Sequence, residues 1–504
     1  MLGVRQIGKS VPYQAQRLLP GQQWFHSSLV NLDKKAIRFH SQYIHLDSGE
    51  LASGEVSCVP GEPMELHLGE KTSESIKLPD TAHIALGRVD PHVHFRESAT
   101  PTPEEHAEHG PADIDYESLV ENIRKANSSY SIRSGCLSAL KGGVSIVGAM
   151  GNTPWGPVGP YRHQRTQEHY KSQSLIPIIV WPRMEPGAAP VKGHEGKDFG
   201  STFGGSGLTG QIRKDMYALW KGEAVSYHND QARADESIEA FRDRVHPYER
   251  LLHHQYFDGS TVLACQKETM DIAESAGVSS LLARHIPTGP ALQQILDRAK
   301  SATFKLPAEV GLDYMYWNQD RLLQQKKATA LINYRRPAHP TLEDQQALIA
   351  LTLETVRDGY AIFFGSDHAP HSQEAKAFHN GLPGSPGTRN IEHSLQFYCE
   401  LVNKHGCTWA DIDRLSAINP AKHVAQFYDF PYEIGALKTG AMANLAIFDP
   451  EASYQVDKAA LAAQLEDPEY HSAMTGEKEL RGQSLFTVAN GRVFQVNGAV
   501  KALN

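Results

Sequence analysis

Several things are scarce in this chain, and each scarcity removes a class of function. No apolar run among its 504 residues approaches the roughly 20 needed to span a bilayer, so no membrane role is expected. Cysteine is sparse: Cys58, Cys136, Cys265, Cys399 and Cys407 are scattered without Cys-x-x-Cys spacing. An odd, dispersed set cannot pair completely, and a reducing cytoplasm fits it best. Positive charge is in deficit, 49 Lys and Arg against 58 Asp and Glu, for a net charge of −9. Such a surface has no strong field to attract phosphates, so nucleic-acid binding is not expected. Acid is missing from the first 32 residues, which carry Arg5, Lys9 and Arg17. An organelle presequence has that look, but no long apolar segment for secretion is present. The plainer reading is an extension packed on the body.

What is present is a repeating order of strand and helix. β-rich runs recur at Ile84–Val89, Val144–Met150, Ile178–Trp181, weakly near Lys197, then Ala224–His228, Ser279–His285, Thr303–Val310 and Ala361–Gly365. Helix patterns intervene at Tyr116–Ala139, Met270–Ala276, Ala291–Ala299 and Leu342–Asp358. Eight such alternations predict an α/β fold of the (β/α)8 barrel type. The rival is an open doubly wound sheet, but no Gly-rich nucleotide fingerprint follows the first strand. The two ends of the chain read as short, turn-rich strands, with Asn490-Gly491 a strong hairpin signal. The expected domains are residues 1–85, an extension plus part of a small β-sandwich; 86–430, the barrel; and 431–504, the rest of the sandwich.

Polar residues fall at the ends of these strands: His92 and His94, Asn152, His228, His285 and Asp367. In a barrel all such ends meet at one mouth, where catalytic groups gather. His92 and His94, one residue apart on a strand, project from the same face and make half of a metal site. Arg96 supplies a fixed cation beside them, suited to a substrate carboxylate. The histidines of Glu104-Glu105-His106-Ala107-Glu108-His109 read as a solvated loop, and His246, His253 and His254 as a helix flank.

The segment Asp90-Pro91-His92-Val93-His94-Phe95-Arg96-Glu97 resembles a signature of the dihydroorotases, within the amidohydrolase superfamily. Gly365-Ser366-Asp367-His368-Ala369-Pro370-His371 is similar to a second signature of that family. Met150-Gly151-Asn152-Thr153-Pro154 and Asn419-Pro420-Ala421-Lys422 resemble two weaker elements. The likeness covers roughly residues 40–500. It implies two zinc ions per chain, one held by His92, His94 and Asp367, the other by His228 and His285. A carboxylated lysine bridges the pair in the family. Lys197, in Gly196-Lys197-Asp198-Phe199-Gly200-Ser201-Thr202, is the match, with Lys214 on a predicted helix as its rival and an exposed structural lysine as the plain alternative. Three departures stand out: Gly311-Leu312-Asp313-Tyr314 where a His pair is usual, Asn229-Asp230 after His228, and His285-Ile286-Pro287-Thr288. None removes a direct ligand.

The resemblance implies reversible hydrolysis of the cyclic amide of (S)-dihydroorotate to N-carbamoyl-L-aspartate, a step in making pyrimidines. A metal can lower the pKa of bound water to about 7, giving a hydroxide nucleophile. Asp367 would be the general acid and base. Arg96, Asn152 and His371 would clamp the substrate carboxylate, with Asn333 and Arg389 as further substrate-side candidates. Other cyclic amidases, of hydantoinase, dihydropyrimidinase or allantoinase type, share such a centre and are the alternative. A non-catalytic scaffold is a third reading. A small molecule is the expected partner, and the resemblance allows a homodimer. Manganese or cobalt would also suit His and carboxylate ligands.

Overall fold

A computed structural model describes residues 35–504 apart from 70, 73, 112–113, 186–187, 192, 194, 198–209, 229–258, 325–338, 377–386, 473, 476 and 478–479. The chain enters through β1 (Ile37–His45), β2 (Leu51–Cys58), β3 (Glu65–Leu68) and β4 (His83–Leu86). Next come β5 (Arg88–Val93), β6 (Val144–Ala149), β7 (Ile178–Val180), β8 (Gly196–Lys197), β9 (Ala224–His228), β10 (Ser280–Ile286), β11 (Ala308–Gly311) and β12 (Ile362–Gly365). It leaves through β13 (Leu445–Tyr454), β14 (Leu480–Ala489), β15 (Arg492–Gln495) and β16 (Lys501–Ala502).

The middle strands are all parallel, in the orders β5-β6-β7 and β8-β9-β10-β11-β12. A parallel bridge from Val93 to His368 joins β5 to the segment after β12. Among the described residues no pairing links β7 to β8, so the eight strands are continuous on one side and open at that point. Helices return the chain between strands, as parallel pairing requires. Leu342–Arg357 begins where the Thr341 hydroxyl caps the amide of Asp344, and Gly289–Ala299 where Thr288 caps Ala291. With helices on one side and side chains filling the other, β6 is buried at every position and reads as an unbroken apolar run.

The two ends are joined edge to edge. β13 pairs antiparallel with β14 on one side and with β4 on the other. One eight-stranded sheet results, β16-β15-β14-β13-β4-β1-β2-β3. Phe39, Ile44, Val56, Ile84, Leu445 and Val488 form its apolar core. Asn490 and Gly491, with φ of 50° and 77°, make the two-residue turn from β14 to β15.

The run expected as one strand, Ile84–Val89, is two. β4 lies in the terminal sheet and β5 opens the parallel set, with Gly87 at the junction. A Cβ on Gly87 would stand 2.9 Å from the Asn444 carbonyl carbon and the Leu445 nitrogen, so only a glycine lets the chain pass. Likewise the helix expected over Tyr116–Ala139 is broken into Tyr116–Ser129 and Ile132–Lys141, because Ser131 caps the second by accepting from the Ser134 amide. Glu104–His109 is helical and not a loop. Thr102 and Glu105 form a capping box, and Pro103 opens the turn.

Candidate active site

The strand ends bring distant residues to one point. His92 and His94 leave β5 and its end on the same face, with their Nε2 atoms 3.2 Å apart. Asp367, just beyond β12, places Oδ1 3.2 Å from His92 Nε2 and 2.8 Å from His94 Nε2. His285, at the end of β10, points Nε2 to within 3.3 Å of Asp367 Oδ2. Its ring stacks on that of His92 at 4.9 Å. All four residues are buried. His285 and Asp367 both have positive φ, 55° and 46°, a backbone state costly for residues with a Cβ. Backbone strain of this kind clusters at functional sites.

The donor set fits a metal. His92 Nδ1 lies 2.5 Å from Glu309 Oε1. A carboxylate only accepts, so Nδ1 carries the proton and Nε2 presents its lone pair towards His94 and Asp367. Two imidazoles and a carboxylate gathered on one point satisfy the ligand chemistry of zinc. His92, His94 and Asp367 form one group within reach of a single ion, and His92, His285 and Glu309 another.

Beneath the histidines runs a buried chain of charge. Glu309 Oε2 accepts from Arg284, whose other Nη donates to Glu195 at 2.8 Å, and Glu195 meets His423 at 2.9 Å. Burial opposes the Arg284 charge, but Glu195 and Glu309 hold its pKa above the usual value. For Glu195 burial works upward, while Arg284 and His423 bring its pKa down to about 2. Trp181 covers Arg284 and donates Nε1–H to the Pro91 carbonyl at 2.8 Å. The His94 amide donates to the His368 carbonyl at 2.7 Å, which ties β5 to the segment carrying Asp367.

Beside the cluster, Arg96 donates from Nε to the Pro370 carbonyl at 3.0 Å, and its Nη2 stands 2.8 Å from His371 Nε2. Burial lowers the Arg96 pKa to about 10, against the support of Asp367. Its neighbour Glu97 is engaged with the Ile132 amide and His169. Arg389 is buried. It grips Asp467 through Nε and Nη2 and donates from Nη1 to the His371 carbonyl at 2.7 Å. It therefore positions His371.

The remaining expected residues are placed less fully. Asn152 is half-buried after β6. Lys197 and His228 enter as strand positions only: Lys197 pairs with Ser226, and His228 lies in register with Arg284. Lys214 is exposed on the helix Gly210–Leu219. Asn333, His246, His253 and His254 lie outside the described residues. Glu309, Arg284 and Glu195 were not foreseen, although a charge inside the apolar runs Thr303–Val310 and Ser279–His285 is a readable signal.

No protein-family model matches the chain. A curated dihydroorotase of Anoxybacillus flavithermus is 24% identical over 422 residues, covering 82% of this chain and 88% of that protein. One from Bacillus cytotoxicus is 27% identical over 388 residues, 74% of this chain and 79% of that protein. This chain resembles the dihydroorotases. Among solved structures, a dihydropyrimidinase from Brevibacillus agri matches with a TM-score of 0.70 at 14% identity, over 93% of this chain and 96% of that one. An L-hydantoinase from Arthrobacter aurescens matches with a TM-score of 0.70 at 16% identity, over 92% and 97%. The dihydroorotase-like chain thus shares its fold with cyclic amidohydrolases. No described helix is long and apolar enough to cross a membrane.

Proposed function

We propose that this protein is a zinc-dependent dihydroorotase, opening the ring amide of dihydroorotate and closing carbamoyl aspartate in the reverse direction. The observation that carries the reading is the adjacency of two devices. His92, His94, His285 and Asp367 converge on one point, and the half-buried Arg96–His371 pair stands beside it. The first suits amide hydrolysis; the second suits a substrate that bears a carboxylate.

His92, His94 and Asp367 would hold one metal, and His285 with the positions of His228 and Lys197 the other. When bound, the metals would activate water and polarise the ring carbonyl. Glu309 fixes His92 in the tautomer that offers Nε2. Arg96 binds the substrate carboxylate through its guanidinium, and His371, held by Arg389, orients the same group. Asp367 accepts a proton on a carboxylate oxygen as water attacks and returns it to the departing ring nitrogen. The burial of the cluster limits bulk water at the reacting atoms.

The second reading is a hydantoinase- or dihydropyrimidinase-like amidase, favoured by the structural neighbours. Assays of the metal-replete chain on dihydroorotate, carbamoyl aspartate, hydantoin, dihydrouracil and allantoin separate the two. Turnover confined to the first pair supports the proposal. Turnover of uncharged rings with none of dihydroorotate replaces it, and no turnover of any leaves a scaffold.

A further inference from the structure

The connection between β13 and β14 leaves the terminal sheet and crosses to the mouth of the parallel strands. After the helix Lys458–Gln464, residues 466–472 lie against the segment that follows β12. Glu469 Oε2 accepts the amide of Gln373, two residues beyond His371, at 3.1 Å. Glu466 anchors the same stretch on Arg133 at 2.8 Å. Between these ties Asp467 meets Arg389 side by side, Oδ2 to Nε at 2.6 Å and Oδ1 to Nη2 at 3.2 Å, with both residues buried.

The other side of Arg389 faces the candidate site. Its Nη1 donates to the His371 carbonyl at 2.7 Å and lies 3.0 and 3.4 Å from Nδ1 and Nε2 of His471. His471 Nδ1 gives its proton to the Glu469 carbonyl at 2.9 Å, which leaves Nε2 as the acceptor. Burial, with the Arg389 charge, holds His471 down to about 4, so this ring is neutral. Four of the five N–H donors of Arg389 are thus spent, too many for a paired grip on a substrate carboxylate. Arg389 acts instead through the backbone of His371, whose Nε2 stands 2.8 Å from Arg96 Nη2.

A buried guanidinium robbed of its anion is costly and disturbs what it holds. Its charge also reaches the site, since Arg389 adds to burial in lowering the Arg96 pKa; the Asp467 carboxylate offsets that charge. We propose, on the reading of Arg96 and His371 as the carboxylate clamp, that Asp467 is a positioning residue of the clamp. Through Arg389 it fixes His371 and leaves the Arg96 charge to the substrate. A stretch of chain outside the parallel strands thereby takes part in substrate choice.

The test is steady-state kinetics of the metal-replete chain on dihydroorotate, with zinc per chain measured in each variant. Asp467→Asn keeps the shape of the side chain and removes its charge. A carboxylate grip is made alike in the bound and transition states, so KM should rise about tenfold while kcat stays within about threefold and zinc is unchanged. His471→Ala, at a half-buried position, should raise KM about threefold and decides the matter if Asp467→Asn fails to fold. KM unchanged in the folded variants, or a loss carried by kcat or by zinc content, would overturn the proposal and leave the dihydroorotase reading standing. No turnover of dihydroorotate by the unaltered chain would overturn both.

Discussion

Replacing Arg96 by alanine probes the origin of substrate choice. Of the five N–H groups of a guanidinium, Arg96 uses one on the Pro370 carbonyl and one towards His371. Nη1 is left to face a ligand, and a carboxylate there would gain one or two charge-assisted bonds. Each contributes about 1.5–3 kcal/mol, so a loss of about 3 kcal/mol, roughly a hundredfold, is expected in kcat/KM for dihydroorotate. Dihydrouracil has no carboxylate and should lose less than about threefold, the residue of disturbing His371. Arg96→Lys keeps the charge but not the fork and should fall between. Steady-state kinetics on both substrates, with metal content measured in each variant, give the answer. Equal losses on the two substrates at equal metal content would refute the carboxylate clamp.

Three other perturbations test the supporting structure. Glu309→Gln removes one anion facing Arg284 and weakens the hold on His92 Nδ1. Zinc affinity should drop about 10–100-fold and the chain should lose about 3 kcal/mol, whereas unchanged metal binding would remove Glu309 from the site. Gly87→Ala must displace backbone at Asn444 and Leu445 and should destabilise by about 1–3 kcal/mol in a thermal melt; an unchanged melt would contradict the junction. His83 is held down to about 4 by burial and by His45, with Asp449 and Asp413 opposing. Its folded pKa lies below the unfolded value near 6.5, so the unfolded chain takes up the proton first. Stability should therefore fall as pH drops from about 6.5 to 4, and His83→Asn should flatten that slope; the same slope in both proteins would refute the assignment.

Much of the parallel set was legible because buried strands carry unbroken apolar runs, as Val144–Ala149 does. The site was legible where a strand ended in a ligand-type residue: His92, His94, His285 and Asp367 meet because parallel strands share one mouth. The split at Gly87 was not, since an apolar run looks the same whether it serves one sheet or two. The strand order of the terminal sheet was not legible, because alternation fixes which face is buried but not which edges pair. Glu309 escaped notice because a lone acid in an apolar strand carries no partner's name; only the fold reveals His92 and Arg284 on either side of it. The pairing of Arg389 was hidden because its partner, Asp467, is distant in the chain.

The convergence at the strand mouth is tested most directly by anomalous diffraction from zinc-replete crystals. The account predicts zinc density in contact with His92 Nε2, His94 Nε2 and Asp367, with a second peak at His285 that weakens in Lys197→Ala. Zinc absent from that point, in a sample that turns over dihydroorotate, would contradict it.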